Sequence, residues 1–190
     1  PTIEVDVRTS DGSLGRASVP SGASTGSKEA VELRDGDLAR FGGLGVLNAI
    51  ENIRKIITPG ILGRSVLDQT SLDDTLIELD GTFDKSRMGA NALVGVSVAI
   101  ARAAASSLDI PLYRYFGETD QISLPVPMFN VLNGGRHAEN STDIQEFMVV
   151  PAGFETFRRS VQAGSEVFNT LRRLLSEKGF GTAVGDEGGF

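Results

Sequence analysis

Residues 125–150 read PVPMFNVLNGGRHAENSTDIQEFMVV. Two apolar runs in this stretch, residues 128–132 and 144–150, predict short strands, and the polar run between them, residues 133–143, predicts a loop. The strands are too closely spaced for an intervening helix, so we expect them to pair antiparallel. A long helix is predicted next, because apolar residues recur at helical spacing on one face. That face consists of Phe157, Val161, Gly164, Phe168, Leu171 and Leu175.

The sequence before this stretch predicts a small antiparallel sheet. Apolar and charged residues alternate along residues 3–8, which is the period of a half-buried strand. Asp11-Gly12 is a hairpin signal, and residues 14–19 can form the returning strand. Residues 30–33 predict a short third strand.

Helices dominate the residues that follow, up to residue 108. Apolar residues mark one helical face over residues 46–57, and we expect this helix to stop at Pro59-Gly60. Residues 68–79 predict a second helix, and residues 90–108 are apolar almost all round, which indicates a buried helix. The first part of the chain is therefore predicted to be an α+β domain, with helices packed on one side of a small antiparallel sheet.

The chain is predicted to contain one domain and the beginning of another. The apolar pattern lapses at GETDQ, residues 117–121, so we divide the chain into residues 1–118 and 119–190. The sequence opens at Pro1 without an initiator Met and stops at Phe190, soon after an acidic pair and with no closing helix. We therefore expect it to be truncated at both ends.

Composition excludes several classes of function. The chain has 25 acidic and 18 basic residues and a net charge of −7, so with no basic run it is a poor candidate for binding nucleic acid or an anionic membrane. An anionic substrate would require a bound cation to neutralise it. The absence of cysteine excludes disulfides, zinc–thiolate sites and thiol nucleophiles. No signal peptide or membrane-spanning run is evident, so a cytoplasmic location is the default expectation.

Residues 21–26, SGASTG, form the first candidate functional loop. Their hydroxyls and glycines allow the backbone to approach a phosphate or a metal-bound ligand closely. The segment is not a P-loop, because Gly22, Gly26 and Lys28 lack the required spacing. Taken alone, such a cluster is more often a solvated turn than a binding loop.

His137 and Glu146 form the second candidate. His137 is the only histidine of the chain and lies in the loop NGGRHA, residues 133–138, where an isolated histidine more often has no special role. Glu146 lies near the start of the second strand, close to the same loop. Alternation sets Glu146 on a predominantly apolar strand face, with Gln145 on the other. A carboxylate is expensive to bury without a partner, so we favour a functional role over that of a sheet-edge Glu facing water.

Residues 185–189, GDEGG, form the third candidate. If the long helix is a crossover, the strand before this motif runs parallel to residues 128–132, and the carboxyl ends of both strands share one rim. Glu187 would then lie at the same rim as His137 and Glu146. Two carboxylates and a histidine at such a rim are a recognisable acid/base arrangement, although the motif alone would be an ordinary turn.

Seven segments, in one order along essentially the whole chain, resemble the enolase family. They are VPSGASTG (19–26), ELRDG (32–36), GANA (89–92), PLYRY (111–115), PVPM (125–128), QEFM (145–148) and VGDEGGF (184–190). The resemblance implies an α+β N-terminal cap domain followed by the first part of an enolase-type (β/α)8 barrel with a ββαα start. It also implies a magnesium-dependent lyase, a phosphopyruvate hydratase, that converts 2-phospho-D-glycerate to phosphoenolpyruvate and water in glycolysis and gluconeogenesis.

The resemblance also implies a role for each candidate residue. Glu187 matches the general acid that protonates the departing hydroxyl at C3 of the substrate, and Glu146 matches a carboxylate that assists this step and contacts the substrate. His137 matches a substrate-binding histidine, and Gln145 a neighbouring polar contact. Ser24 matches the loop serine that ligates a second Mg²⁺ when the lid closes.

Part of the implied machinery is expected beyond Phe190. Enolase-superfamily enzymes use a Lys or His base together with one or two Mg²⁺ ions. By the resemblance, the base lysine, the three main magnesium carboxylates and a further substrate arginine and lysine should all follow Phe190. We therefore expect the 190-residue chain alone to be inactive.

Other functions remain open from the sequence. One alternative is an enolase-superfamily enzyme that dehydrates a different acid or sugar, and another is a non-catalytic role in binding partners at the cell surface. The resemblance further implies a homodimer or higher homo-oligomer, and a cytoplasmic protein that can also occur at the cell surface or be secreted.

Overall fold

A computed structural model of the chain describes four ranges: 1–22, 26–117, 123–135 and 142–190. The chain divides into two compact units, Pro1–Asp120 (unit 1) and Gln121–Phe190 (unit 2). The domain boundary predicted between residues 118 and 119 falls outside the described ranges and stays a prediction.

Unit 1 contains the predicted hairpin. β1 (Ile3–Arg8) pairs antiparallel with β2 (Leu14–Val19), in a register that sets Ile3 opposite Val19. Ile3 and Val5 are buried whereas Glu4 and Asp6 are exposed, because successive side chains of a strand point to opposite faces. The predicted alternation is confirmed.

The buried face of the hairpin packs against α4 (Ala90–Ser107), the core helix of unit 1. Gly15 permits this close packing, since a Cβ atom at Gly15 would lie 2.0 Å from the carbonyl oxygen of Ala99. By length and composition α4 could cross a membrane, but 61% of it is buried inside the protein. The buried helix predicted over residues 90–108 is confirmed, and a short helix, α5 (Leu112–Phe116), follows it.

The second predicted helix is also present. α3 (Gln69–Asp80) begins after Asp68, whose carboxylate accepts a hydrogen bond from the Ser71 N–H at 3.2 Å. This is an N-cap, which satisfies one of the unpaired N–H groups of the first turn. The helix ends at Gly81, which has a φ of 67°, a left-handed conformation that favours glycine. The predicted bounds, residues 68–79, are correct to within one residue.

The predicted end of the first helix is wrong. α1 (Leu47–Asn52) continues through a π-helical turn (Ile53–Ile57) into α2 (Thr58–Ile61), so the helical path passes Pro59. Pro59 falls in the first turn of α2, where backbone N–H groups ordinarily lack intrahelical partners. The π turn before it changes the hydrogen-bond register of the helical path.

The third strand predicted at residues 30–33 is also wrong. Leu33 is instead held by the side chain of Asn91, whose Oδ1 accepts from the Leu33 N–H and whose Nδ2 donates to the Leu33 carbonyl, both at 3.1 Å. An asparagine amide thus takes the place that a neighbouring strand would have. A 3₁₀ turn (Phe41–Gly43) lies between this extended segment and α1.

Unit 2 has the predicted strand–strand–helix order. β3 (Phe129–Asn133) pairs antiparallel with β4 (Glu146–Val149), as expected, and α6 (Phe157–Glu177) follows. Gly164 of α6 packs against β3, because a Cβ atom there would lie 2.2 Å from the Phe129 ring. The described residues of unit 2 form the start of a barrel domain and no closed barrel.

Candidate active site

Predicted site residues of unit 2 meet at the end of β3. Asn133, the last residue of β3, lies opposite Glu146, the first residue of β4. The Gly134 N–H donates to the Gln145 carbonyl at 2.9 Å, which holds the two segments together one residue beyond the strand pair. Gln145 and Glu146 therefore lie beside the start of the sequence segment that carries His137.

Glu146 is half-buried, but not for the reason predicted from the sequence. The apolar residues expected to bury its strand face are themselves exposed: Ile144 by 53%, Met148 by 45% and Val150 by 49%. Among the described residues, therefore, no buried apolar strand face surrounds Glu146. Its candidacy depends on its position opposite Asn133.

Residues 185–189 form a closed turn. The Gly188 N–H donates to the Gly185 carbonyl at 2.9 Å, and the Gly185 N–H donates to the Gly189 carbonyl at the same distance. Gly188 has a φ of 82°, a conformation that side-chain-bearing residues rarely adopt. Asp186 and Glu187 occupy the centre of the turn, and both are exposed.

Two asparagines of β3 connect the strand to this turn. The Asn130 Nδ2 donates to the Asn133 Oδ1 at 2.6 Å and to the Glu187 carbonyl at 3.3 Å. Residues three apart on a regular strand face opposite sides, but a register shift between Asn130 and Leu132 brings these two amides together. Gly189 packs directly on them, since a Cβ atom there would lie 2.5 Å from the Asn133 Oδ1.

Neither asparagine was predicted as a member of the site. The signal was available: MFNVLN places two amides in an otherwise apolar strand, and Asn133 is only 2% exposed in the structure. A buried amide needs hydrogen-bond partners. Two amides three residues apart could therefore have indicated an irregular strand onto which another segment returns.

The end of the described chain pairs with β3. The Phe190 N–H donates to the Val131 carbonyl at 3.0 Å, and the Asn133 N–H donates to the Phe190 carbonyl at 2.9 Å, which is a parallel pattern. The Phe190 ring stacks on Phe168 of α6 with centroids 4.6 Å apart, and the Arg172 guanidinium lies over both rings. These contacts fix the turn at residues 185–189 relative to β3.

The parallel pairing was predicted at the wrong residues. We expected a strand before Asp186, yet residues 182–185 form no strand and the pairing occurs at Phe190. The glycine-rich turn at residues 185–189 precedes Phe190, the residue that pairs with β3, whereas we had expected the paired residues to precede the turn. The consequence for Glu187 is that its backbone, through Asn130, is anchored on the side of β3 opposite β4.

Two predicted site residues, Ser24 and His137, lie outside the described residues. Within the described part of the chain, no group of three or more His, Asp or Glu side chains could hold a metal ion. The described residues by themselves do not fit a magnesium centre. The structure places Gln145, Glu146 and the turn that carries Glu187 beside β3.

Comparison with protein families gives two matches. The model for "Enolase, N-terminal domain" matches residues 1–116, and the model for "Enolase, C-terminal TIM barrel domain" matches residues 121–190. The first match falls within unit 1 and the second within unit 2.

Proposed function

The chain belongs to the enolase family, and on this basis we propose that it contributes part of the active site of a lyase that converts 2-phospho-D-glycerate to phosphoenolpyruvate and water. Its two domains are those of an enolase-type lyase. The observation that carries the finer proposal is the arrangement around β3: Glu146 lies opposite Asn133 on one side, and the turn with Glu187 is bonded to Asn130 on the other.

The reaction requires two proton movements. A base removes the proton from C2, the C2–C3 double bond forms, and the hydroxyl leaves C3 as water once an acid has given it a proton. Hydroxide is a poor leaving group, so a carboxylic acid beside C3 has a specific use. We assign this role to Glu187, which is exposed at the centre of its turn and so accessible to a ligand.

Glu146 and Gln145 are proposed to contact the substrate. Glu146 begins β4 and Gln145 directly precedes it, and both lie at the same end of β3 as Asn133, which bonds to Phe190 directly after the acidic turn. A strand pair holds them more rigidly than a loop would, and rigid positioning lowers the entropic cost of reaching the transition state. His137 is assigned to the substrate by family membership alone.

Magnesium is included in the proposal on the ground of family membership. The described residues hold no cluster suited to it, and we assign no catalytic step to it here. Assays of the proposed reaction should therefore contain Mg²⁺, and its concentration should be varied.

The test uses the intact parent protein that carries this sequence. Formation of phosphoenolpyruvate from 2-phospho-D-glycerate is measured for the parent and for Glu187→Gln, which keeps the shape of the side chain but cannot supply the proton. We expect kcat to fall by about 10²–10⁴-fold, the usual contribution of general acid catalysis.

Glu177→Gln is the matched control. Glu177 lies on α6 of the same unit, is exposed, and forms a surface ion pair with Arg173 at 2.7 Å, so its loss should leave kcat unchanged within about twofold. An inactive parent that is folded and supplied with Mg²⁺ would refute the proposed reaction and favour a binding role. Equal activity of parent and Glu187→Gln would refute only the assignment of Glu187.

A further inference from the structure

The side chain of Asn130 bonds directly to the backbone of Glu187. Its Nδ2 donates to the Glu187 carbonyl at 3.3 Å and to the Asn133 Oδ1 at 2.6 Å. The Glu187 carbonyl belongs to the same planar peptide group as the Gly188 N–H, which donates to the Gly185 carbonyl at 2.9 Å. This peptide group is therefore held on its N–H side by the turn and on its carbonyl side by β3.

The turn by itself does not fix the carbonyl side of that peptide group. The two hydrogen bonds that close the turn join Gly185 to Gly188 and Gly185 to Gly189. Glycine restricts its neighbours little, because it adopts left- and right-handed conformations about equally readily. The carbonyl and the side chain of Glu187 leave the same Cα atom, so the bond from Asn130 restricts the direction of that side chain relative to β3.

Stability does not account for an amide at residue 130. The Asn130 Oδ1 is buried and, among the described residues, has no hydrogen-bond donor. A buried acceptor without a donor costs free energy, and an aliphatic side chain of similar size would avoid that cost between the apolar neighbours Phe129 and Val131. The amide supplies what an aliphatic side chain cannot, which is a donor to the Glu187 carbonyl.

Gly189 allows the turn to approach the two amides closely. A Cβ atom at Gly189 would lie 2.5 Å from the Asn133 Oδ1 and 3.0 Å from the Asn130 Oδ1. The next residue, Phe190, pairs with the backbone of β3. The end of the chain is thus held to β3 at three points, and the bond from Asn130 is the one that acts on Glu187 itself.

We propose that Asn130 is a positioning residue for Glu187, an inference that rests on the proposed function. Asn130 holds the residue that gives a proton to the departing hydroxyl and does not itself touch the substrate. Its effect passes through the Glu187 carbonyl and concerns the second proton movement, the departure of the hydroxyl from C3. Removal of the proton from C2 depends on a different group, so Asn130 does not affect that step.

The test compares dehydration with hydrogen exchange in the intact parent protein. Formation of phosphoenolpyruvate requires both proton movements, whereas exchange of the C2 hydrogen of 2-phospho-D-glycerate with D2O requires the first alone. Asn130→Leu keeps the approximate size of the side chain but cannot donate to Glu187. We expect kcat for phosphoenolpyruvate to fall roughly tenfold or more, as misplacement of a catalytic group does. The rate of C2 exchange, followed by NMR, should stay within about twofold of the parent.

Asn169→Leu is the matched control. Asn169 is exposed on α6 of the same unit, and its Nδ2 donates to the Ser165 carbonyl at 2.9 Å. The control therefore also loses a bond from a side-chain amide to a backbone carbonyl, but one made within α6. Both rates should stay within about twofold of the parent, because surface substitutions have small effects. Circular dichroism at the assay temperature shows whether each variant is folded.

The outcomes separate this inference from the proposed function. In an active parent, unchanged dehydration by Asn130→Leu, or a proportional fall of dehydration and exchange, overturns the positioning role and leaves the proposed function standing. A parent that forms phosphoenolpyruvate without C2 exchange also overturns an effect on the second step alone. A folded parent that neither dehydrates the substrate nor exchanges its C2 hydrogen overturns the proposed function, and the positioning role with it.

A second variant decides if Asn130→Leu does not fold. Asn130→Ala adds no atoms at a half-buried position and likewise removes the donor to Glu187. Loss of dehydration with exchange retained supports the positioning role. A proportional loss of both rates, or no loss, overturns it.

Discussion

Unit 1 and unit 2 differ sharply in how much apolar surface they bury. In the described residues, every buried aliphatic or Met side chain belongs to unit 1 except that of Val131. Unit 2 exposes a run of large apolar side chains on its strands, its loops and α6. They include Leu124, Met128, Ile144, Met148, Phe154, Phe157, Leu174 and Phe180. Unit 1 closes a core by itself, whereas the surface of unit 2 is typical of a barrel segment that lacks its neighbours.

The largest expected effect is on activity. The 190-residue chain, purified alone, should give no measurable phosphoenolpyruvate from 2-phospho-D-glycerate, because the resemblance to the enolase family assigns neither the base nor the main magnesium carboxylates to any of its residues. The measurement is a coupled assay at protein concentrations at which the parent turns over readily. Turnover by the isolated chain would contradict the proposal that its site is incomplete.

The next effect concerns folding of the two units. Residues 1–117, expressed alone, should unfold in one cooperative thermal transition, because the core around Ile57, Met88 and Ile100 lies entirely within them. Residues 123–190 should bind a hydrophobic dye and lack a sharp transition. Cooperative melting of residues 123–190 with low dye binding would show that unit 2, like unit 1, closes a core by itself.

Much of the fold could be predicted from local patterns. The alternation in β1, the capping residue before α3 and the all-round apolar character of α4 each identify an element from a few neighbouring residues. The failures have two causes, a contact at long range and an irregular helical turn. The missing third strand depends on Asn91, which is 58 positions from Leu33, and the helical path past Pro59 depends on a π turn that no local pattern indicated.

The site was less predictable than the fold. Residue types and family resemblance identified Glu146 and Glu187 as candidates, and their catalytic roles stay predictions. The asparagines of β3 that connect them escaped notice, because their importance depends on a register shift and on a turn more than 50 residues away. Spacing along a chain carries little information about such contacts.

Matched glycines offer a finer comparison of the two units. A Cβ atom at Gly15 would lie 2.0 Å from the Ala99 backbone oxygen, whereas a Cβ atom at Gly164 would lie 2.2 Å from the Phe129 ring. Backbone of α4 cannot move aside without disturbing the core, so Gly15→Ala should lower the free energy of unfolding by about 3 kcal/mol. A ring can rotate, and the gain of about 1 kcal/mol from Ala in a helix offsets the clash, so Gly164→Ala should have a smaller effect. Urea unfolding of the intact parent measures both, and a larger effect at Gly164 would contradict the contrast.

The last expected effect is a pH dependence within the core of unit 1, at Asp80. Its carboxylate is fully buried and accepts hydrogen bonds from the Met88 N–H at 2.7 Å and the Thr82 N–H at 2.9 Å, as well as from the Thr82 hydroxyl. Burial acts to raise the pKa of Asp80 and is the largest single influence. The hydrogen bonds from Thr82 and Met88, with the charge of Lys85, together outweigh it and hold the pKa below its ordinary value of 3.8.

The sign of the pH dependence follows from that lowered pKa. A carboxylate with a lower pKa in the folded state stabilises the fold above its unfolded pKa, and the stabilisation is lost as pH falls through the folded value. Asp80→Asn should reduce the free energy of unfolding by about 1–3 kcal/mol at pH 7, because an amide has a single acceptor oxygen and its NH2 group would face the N–H of either Met88 or Thr82. Asp74→Asn, at an exposed position on the same helix, should change it by about 0.5 kcal/mol at most. The difference between parent and Asp80→Asn should narrow below about pH 4, and a difference that stays constant from pH 7 to pH 3 would mean that the charge of Asp80 does not stabilise the turn that follows α3.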